Sequence, residues 1–578
     1  MIKLFRYLKP YKWAVILAPL FMLLEVMMDL MQPRFMERII DIGLKRGDIG
    51  YILKIGLIMI VAALIGMVGG GGCVVFSSIA SQNFAYDLRC ELFRKVMAFS
   101  FKNLDRFRPE TLITRLTNDV AQIQNVVMMM LRIVVRAPLL FIGGIIMTLT
   151  IDPKLSLVLF VCIPFVILIF YLMIKFSFPL FYQLQKRIDR VNAVMRENLL
   201  GSRVVKAFVR HEYEQKRFYD ANQNLLQTSL KAFGIVVIIM PLFGLVMNMA
   251  MVGVVWFGGF EVKYGNLQVG QLMAFINYSM QILFSLMMIG NIFLFITRAS
   301  ASAERINEVL DCEIDIKSKE KAIKKPIEFG KVEFRNVTFY YNQDEENPAL
   351  ENISFVANPG EIVGIIGTTG SGKSTLVSLI PRLYDVQEGE VLIDDINVKD
   401  YDVEALRKVI SIVLQDTILF TGSIKENIAW GNENATMEEI IQAAKTAQAH
   451  DFIMSFEKGY DTDVSERGVN LSGGQKQRIS IARAILKKPK ILILDDCTSA
   501  VDMATEKKIQ AALKEYMKGT TTFIIAQRIS SIKHADKIIV MDAGKIVAIG
   551  THDELIKSSP LYREIYLTQT GEEENKIA

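Results

Sequence analysis

At 578 residues the chain is too long for one compact domain, and two or three units are expected. Hydrophobic residues make up 51% of it and charged residues 22%, an apolar balance for a soluble protein, while a formal net charge of +5 is too small at this size to argue for nucleic acid as a partner. Five scattered cysteines in no ligand spacing and four histidines that do not cluster exclude a disulfide framework or a metal centre as the organising feature.

The first residues, with Lys3, Arg6 and Lys9, read as an amphipathic helix lying on a membrane surface, without a signal-peptide cleavage pattern. Six apolar windows follow, near 13–32, 52–79, 126–150, 155–175, 233–258 and 271–296. Each is long enough to span a bilayer as a helix, which takes about 20 residues. Basic residues crowd the leader, the segment after the second window (Arg89, Arg94, Lys95, Lys102, Arg106, Arg108, Arg115) and the segment after the fourth (Lys186, Arg187, Arg190, Arg196, Arg203, Lys206, Arg210). This bias places both termini and both long connections in the cytoplasm of a multi-pass protein of the cell membrane. Each long connection is expected to extend its helices into the cytosol and turn in a short helix, at Phe101 to Leu112 and at Glu197 to Phe208.

Polar groups interrupt the spans: Glu25 and Asp29 on the first, Arg132 and Arg136 on the third, and Asn277, Gln281 and Asn291 on the sixth. Ionisable groups at membrane depth are costly and tend to face a cavity. The four-residue spacing puts each charged pair on one helix face. Two readings stay open, a substrate pathway, or ion pairs and headgroup contacts near the interface. Methionines such as Met128-Met129-Met130, Met280, Met287 and Met288 fit either an adaptable ligand surface or lipid contact. The chain then turns polar and lysine-rich. The expected organisation is a membrane domain over 1–310, a linker over 311–331, a nucleotide-binding domain over 332–570 and a polar tail over 571–578.

In the second half the strand-like Ile362-Val363-Gly364-Ile365-Ile366 leads into Gly367-Thr368-Thr369-Gly370-Ser371-Gly372-Lys373-Ser374-Thr375. Such a loop lets backbone N–H groups converge on phosphates, brings Lys373 to the β and γ groups and offers the Ser374 hydroxyl to Mg²⁺. About a hundred residues on stands Asn470-Leu471-Ser472-Gly473-Gly474-Gln475, and then Ile491-Leu492-Ile493-Leu494-Asp495 runs into Asp496. This order and spacing resembles the nucleotide-binding domain of ATP-binding cassette (ABC) transporters. With the six spans it resembles an ABC exporter half, and in its departures the degenerate-site subunit of bacterial heterodimeric multidrug-type exporters.

The resemblance implies an N-terminal all-α six-helix transmembrane domain followed by an α/β phosphate-loop ATPase, with ATP and Mg²⁺ as cofactors. It implies that Tyr341 stacks on adenine, and that Ser374, Gln415 and Asp495 serve Mg²⁺, Gln415 also sensing the γ-phosphate. Leu471, Ser472, Gly473, Gly474 and Gln475 form an intact signature, which in the family holds ATP bound on an opposing domain. Asp502 lies in the loop crossing that interface. Glu466-Arg467-Gly468 matches an exporter loop that touches the coupling helices, and Glu197 to Phe208 resembles the second of those helices.

Two positions depart from the pattern. Asp496 stands where the family has a catalytic Glu, which withdraws the carboxylate by roughly 1 Å, a misplacement that can cost on the order of a hundredfold in rate. Gln527 stands where a switch His is expected, and an amide can hydrogen-bond a phosphate but cannot become a cation. His534, seven residues on, is not the missing switch. An intact signature beside a degenerate hydrolytic position makes functional sense when the partner is a second half-transporter carrying Glu and His. Membrane lipid and a small amphipathic or hydrophobic cargo are the other expected partners. A slow homodimeric exporter or lipid flippase, and an ATP-gated channel or regulator, remain alternatives.

Overall fold

A computed structural model describes residues 1–341 and 347–570, so the 571–578 tail lies outside the described residues, as does the side chain of Asn291. The chain separates into two units, Met1–Met97 with Pro109–Cys312, and Ala98–Arg108 with Glu313–Ala578.

The first unit is helical. A 3-10 helix over Ile2–Tyr11 precedes α1 (Lys12–Arg38) and α2 (Ile49–Met97). The short α3 (Phe101–Arg106), which belongs to the second unit, is followed by α4 (Pro109–Thr114), α5 (Val120–Ile151) and α6 (Pro153–Leu200). The short α7 (Ser202–Ala207), α8 (His211–Lys263) and α9 (Val269–Asp311) complete the helices. Among the described residues six stretches are long and apolar enough to cross a membrane: Lys3–Leu44, Ile49–Met97, Pro109–Ile151, Pro153–Leu200, Pro241–Lys263 and Val269–Ile289. They overlap the six apolar windows. With 49 residues in α2, 48 in α6 and 53 in α8, these helices run to about 70–80 Å, more than twice the roughly 30 Å hydrocarbon thickness.

Helix α1 packs along α2, α5 along α9 and α6 along α8. Close approach of α1 and α2 depends on glycine. A Cβ on Gly69 would fall 2.8 Å from the backbone nitrogen of Glu25, and one on Gly72 2.5 Å from the Phe21 ring.

The two turning helices are shorter than the sequence patterns imply. Ser100 and Asn103 close a capping box that starts α3, and the chain goes extended at Phe107, ahead of Pro109. At the other connection Glu197 to Leu200 still belong to α6, which stops at Gly201, so α7 contains only Ser202–Ala207. None of its residues is buried, and the flanking Leu200 and Phe208 are 82% and 74% exposed.

The second unit is built on strands β1 (Val332–Phe339), β2 (Leu350–Ala357), β3 (Ile362–Gly367), β4 (Glu388–Ile393), β5 (Ile396–Asn397) and β6 (Ile410–Val413). The remaining strands are β7 (Gly422–Ser423), β8 (Asp463–Val464), β9 (Ile491–Asp495), β10 (Thr521–Ile525), β11 (Lys537–Asp542) and β12 (Lys545–Gly550). A six-stranded sheet has the order β12-β11-β3-β10-β9-β6 and is parallel except for β12. Its central strands are largely apolar, as burial on both faces demands; every residue of β9 is buried. An antiparallel sheet of order β2-β1-β4-β5 shares a core with it through Phe334, Phe355, Ile365 and Phe523. A second core, around Ile424, Ile440, Ile453, Tyr460 and Ile479, holds the helical part.

Segment α3 is fastened within this unit. The Tyr384 hydroxyl donates to Asp105 at 2.7 Å, the Phe101 ring meets the Tyr384 ring edge-on at 6.0 Å, and the Asn103 amide donates to the Glu313 carbonyl at 3.1 Å.

Candidate nucleotide site and polar membrane cluster

Strands β3, β10 and β9 are neighbours, so their carboxyl ends deliver three features to one edge of the sheet. These are the phosphate loop after β3, Asp495 and Asp496 at the end of β9, and Gln527 just past β10. Parallel α/β sheets bind ligands at such an edge.

The loop needs its glycines. Gly370 and Gly372 have φ of 81° and 90°, and a Cβ on Gly372 would lie 2.8 Å from the Ala349 carbonyl oxygen. Lys373 opens the helix Lys373–Ser378 and folds back over the loop, its Nζ donating to the carbonyls of Thr368 at 2.7 Å and Gly367 at 3.1 Å, and to Ser371 Oγ at 3.4 Å. Thr368 is tied to Asp542 at 2.9 Å, while Thr369 is exposed. Burial lowers the Lys373 ammonium below its ordinary value, against the pull of Asp495 and Asp496. The Ser374 hydroxyl donates to Asp495 Oδ1 at 3.1 Å, so a hydroxyl and a carboxylate converge as a hard cation requires. Burial raises the Asp495 carboxyl, with the Ser374 hydrogen bond opposing. The donor set and the glycine cradle both fit MgATP.

Tyr341 stands at the end of the antiparallel sheet, where its hydroxyl shares a 2.9 Å hydrogen bond with Thr375 and its ring meets Phe339 and Tyr384 edge-on at 5.0 and 5.3 Å.

The two departures from the family pattern meet each other. Gln527 Nε2 donates to Asp496 Oδ2 at 2.7 Å, and Gln415 Nε2 reaches the same oxygen at 3.4 Å. Asp496 has φ 45°, a left-handed conformation uncommon for a side-chain-bearing residue. Burial raises its carboxyl, with the Gln527 hydrogen bond opposing.

On the signature, Ser472 caps the helix Gly473–Leu486: its Oγ accepts from the Gln475 N–H at 3.3 Å and Gln475 Oε1 accepts from the Ser472 N–H at 2.9 Å. Leu471 is buried. Gly474 allows close approach to the following loop, since a Cβ there would lie 2.8 Å from the Ala500 carbonyl oxygen. Gln477 extends the link, accepting from the Ala500 N–H at 3.1 Å and donating to Ser499 Oγ at 3.3 Å. Asp502 caps the helix Met503–Tyr516 through the Thr505 N–H at 2.9 Å.

Comparison with known proteins agrees with this architecture. The ABC transporter transmembrane region matches residues 15–286, and the family described as ABC transporter matches residues 350–499. The ABC transporter ATP-binding protein YfiB of Bacillus subtilis is 43% identical, the match covering 99% of each chain. The ATP-dependent lipid A-core flippase of Syntrophus aciditrophicus is 34% identical over 87% of this chain and 84% of its own. A solved bacterial Atm1-family ABC exporter with ATP bound superposes with TM-score 0.80 at 27% identity, covering 97% of this chain and 99% of that one. The chain belongs to the ABC transporter family. It has the exporter fold, a six-span membrane domain followed by an ABC ATPase domain, and is a membrane protein whose ATPase domain is cytoplasmic.

Two residues of the transporter escaped the sequence patterns. Gln569, on the helix Pro560–Thr570, donates to the Gln527 carbonyl and accepts from the Ile529 N–H, at 2.7 and 2.8 Å, bracing the segment that carries Gln527. Glu506, 4% exposed, accepts from the hydroxyls of Thr498 and Ser531, joining the loop after β9 to the helix after Gln527. Neither belongs to a motif, and Glu and Gln are common residue types that carry no required spacing here.

In the membrane domain the charged pairs come together across helices. Arg136 on α5 pairs with Glu25 and, at 2.9 Å, with Asp29, both on α1. Arg132 and Arg136 line a cavity of about 540 Å³ together with Asn277 and Gln281 of α9. Asn277 also donates to the Met273 carbonyl of its own helix at 2.9 Å.

Proposed function

We propose that the transporter is one half of a heterodimeric exporter, both of its termini cytoplasmic, that moves amphipathic or hydrophobic compounds. Its own phosphate loop, Ser374, Gln415 and Asp495 bind MgATP with little turnover, Tyr341 taking the adenine. Its signature, centred on Ser472, and Asp502 complete the hydrolytic site of a partner carrying Glu and His. The observation that supports this most directly is the pair of amides on Asp496 Oδ2. A general base must hold a water beside the γ-phosphate, and here Asp496 Oδ2 accepts from Gln527 and Gln415 instead. The exposed α7 suits a segment that docks outside its own chain, as the second coupling helix does in the family. The cargo class follows from the apolar spans and from similarity to a lipid A-core flippase and to YgaD of Bacillus subtilis, whose name carries a provisional multidrug-export assignment.

The test is ATPase activity of the chain alone, of the chain paired with a half-transporter carrying Glu and His, and of the lone chain with Asp496→Glu and Gln527→His together. The expected result is a nearly inactive lone chain, an active pair, and turnover restored by the double change. An ordinary exporter rate in the unaltered lone chain favours the homodimeric exporter or lipid flippase.

A further inference from the structure

We infer that the cavity between α5 and α9 is an anion-selective subsite, and that the cargo is an anionic amphiphile. The inference rests on the exporter reading and narrows its cargo class.

The argument starts from which charges face the cavity. Both arginines of α5 line it, whereas Glu25 and Asp29 do not. The two carboxylates approach Arg136 from α1 and lie off the lining, so the charged groups that face the cavity are the two guanidiniums. Arg132, one helical turn earlier on the same face, makes no ion pair or hydrogen bond among the described residues. A guanidinium held at membrane depth without a carboxylate is costly and calls for an anion. The fork of Arg136 is fixed by its two carboxylates, so Arg132 is the group able to turn toward an incoming head.

The Gln281 side chain belongs to the opposite wall, on α9. Met22, Met280, Phe284 and Met288 complete the wall as an adaptable apolar surface for a tail. About 540 Å³ is the volume of a small-molecule site. A cationic amphiphile would meet two guanidinium groups and find no carboxylate on the lining.

The experiment measures saturable binding of radiolabelled N-dodecanoylglycine to the full-length chain in phosphatidylcholine nanodiscs, without nucleotide. Competitors are its neutral methyl ester, dodecyltrimethylammonium and tail-less N-acetylglycine. MgATP binding to the same discs is measured separately, so failure of the nucleotide reading is distinguished from failure of this one. The expected result is binding that the cation and the tail-less acid do not displace and that the ester displaces weakly. Arg132→Gln should weaken it about tenfold or more, with Arg132→Lys retaining most of the affinity. Equal displacement by dodecyltrimethylammonium or by the ester overturns anion selectivity, and equal displacement by N-acetylglycine overturns the amphiphile. These competitions are read on the unaltered protein, so they decide the matter even if a variant misfolds.

Discussion

On the signature side of the ATPase unit, Ser472 closes a capping box on a regular fourteen-residue helix. On the side of its own phosphate loop, Asp496 sits at φ 45° with its carboxylate held by two amides. The first surface follows the local rules of helix capping, whereas the second combines a strained backbone with residues that depart from the family pattern. Local strain is usually retained where a function uses it. Under the proposed assembly the difference is a division of labour, with one face kept for catalysis in the partner's site and the other for holding nucleotide.

The strongest way to break this comparison is Ser472→Asp. Aspartate keeps the capping acceptor but turns a negative charge toward a γ-phosphate, so turnover of the paired transporter should fall about a hundredfold. Unchanged turnover would show that the signature does no catalytic service. Lys373→Ala should act on the other face, weakening photo-labelling of this chain by azido-ATP about tenfold or more while turnover of the pair falls less. Equal losses in labelling and turnover would erase the distinction between the faces. Removing the brace behind Gln527 is a gentler probe. Gln569→Leu loses two hydrogen bonds worth about 1 kcal/mol each and should lower the melting temperature of the ATPase unit by about 5 °C, as read by calorimetry.

The smallest effect concerns pH. His552 is buried, its Nδ1 2.8 Å from the Tyr562 hydroxyl on the helix that also carries Gln569. Burial lowers its folded-state pKa below the ordinary 6.5, with Lys533 adding to the shift. The unfolded chain therefore binds the proton more readily. The stability contribution is full above pH 6.5 and is lost as pH falls toward and through the lowered folded value. Melting temperature should drop by about 2 °C between pH 7.5 and 5.5, and His552→Gln should flatten that slope.

The phosphate loop, strand β9 and the signature were legible because their chemistry fixes residue types at short spacing. Gly370 and Gly372 take positive φ, Lys373 follows them, and Ile491 to Leu494 must be apolar to be buried on both faces. The spans were legible for the same reason, since lipid demands about 20 apolar residues in a row. The braces were not. Gln569 meets Gln527 across 42 positions, and Arg136 meets Glu25 across 111, through common residue types with no required spacing. Helix ends were read only roughly, because Gly201 stops α6 and Ser100 starts α3 by local capping, which an apolar pattern does not encode.

The placement of α3 has a consequence for biogenesis. Ala98–Arg108 belongs to the ATPase unit although most of the membrane domain separates it from Glu313 onward in the chain. During synthesis this segment leaves the ribosome long before Tyr384, the residue that receives Phe101 and Asp105. The α3 segment therefore stays without these partners until the ATPase unit has been synthesised. An excised ATPase fragment beginning at Glu313 would expose the empty seat of α3, a sticky patch absent from the intact chain.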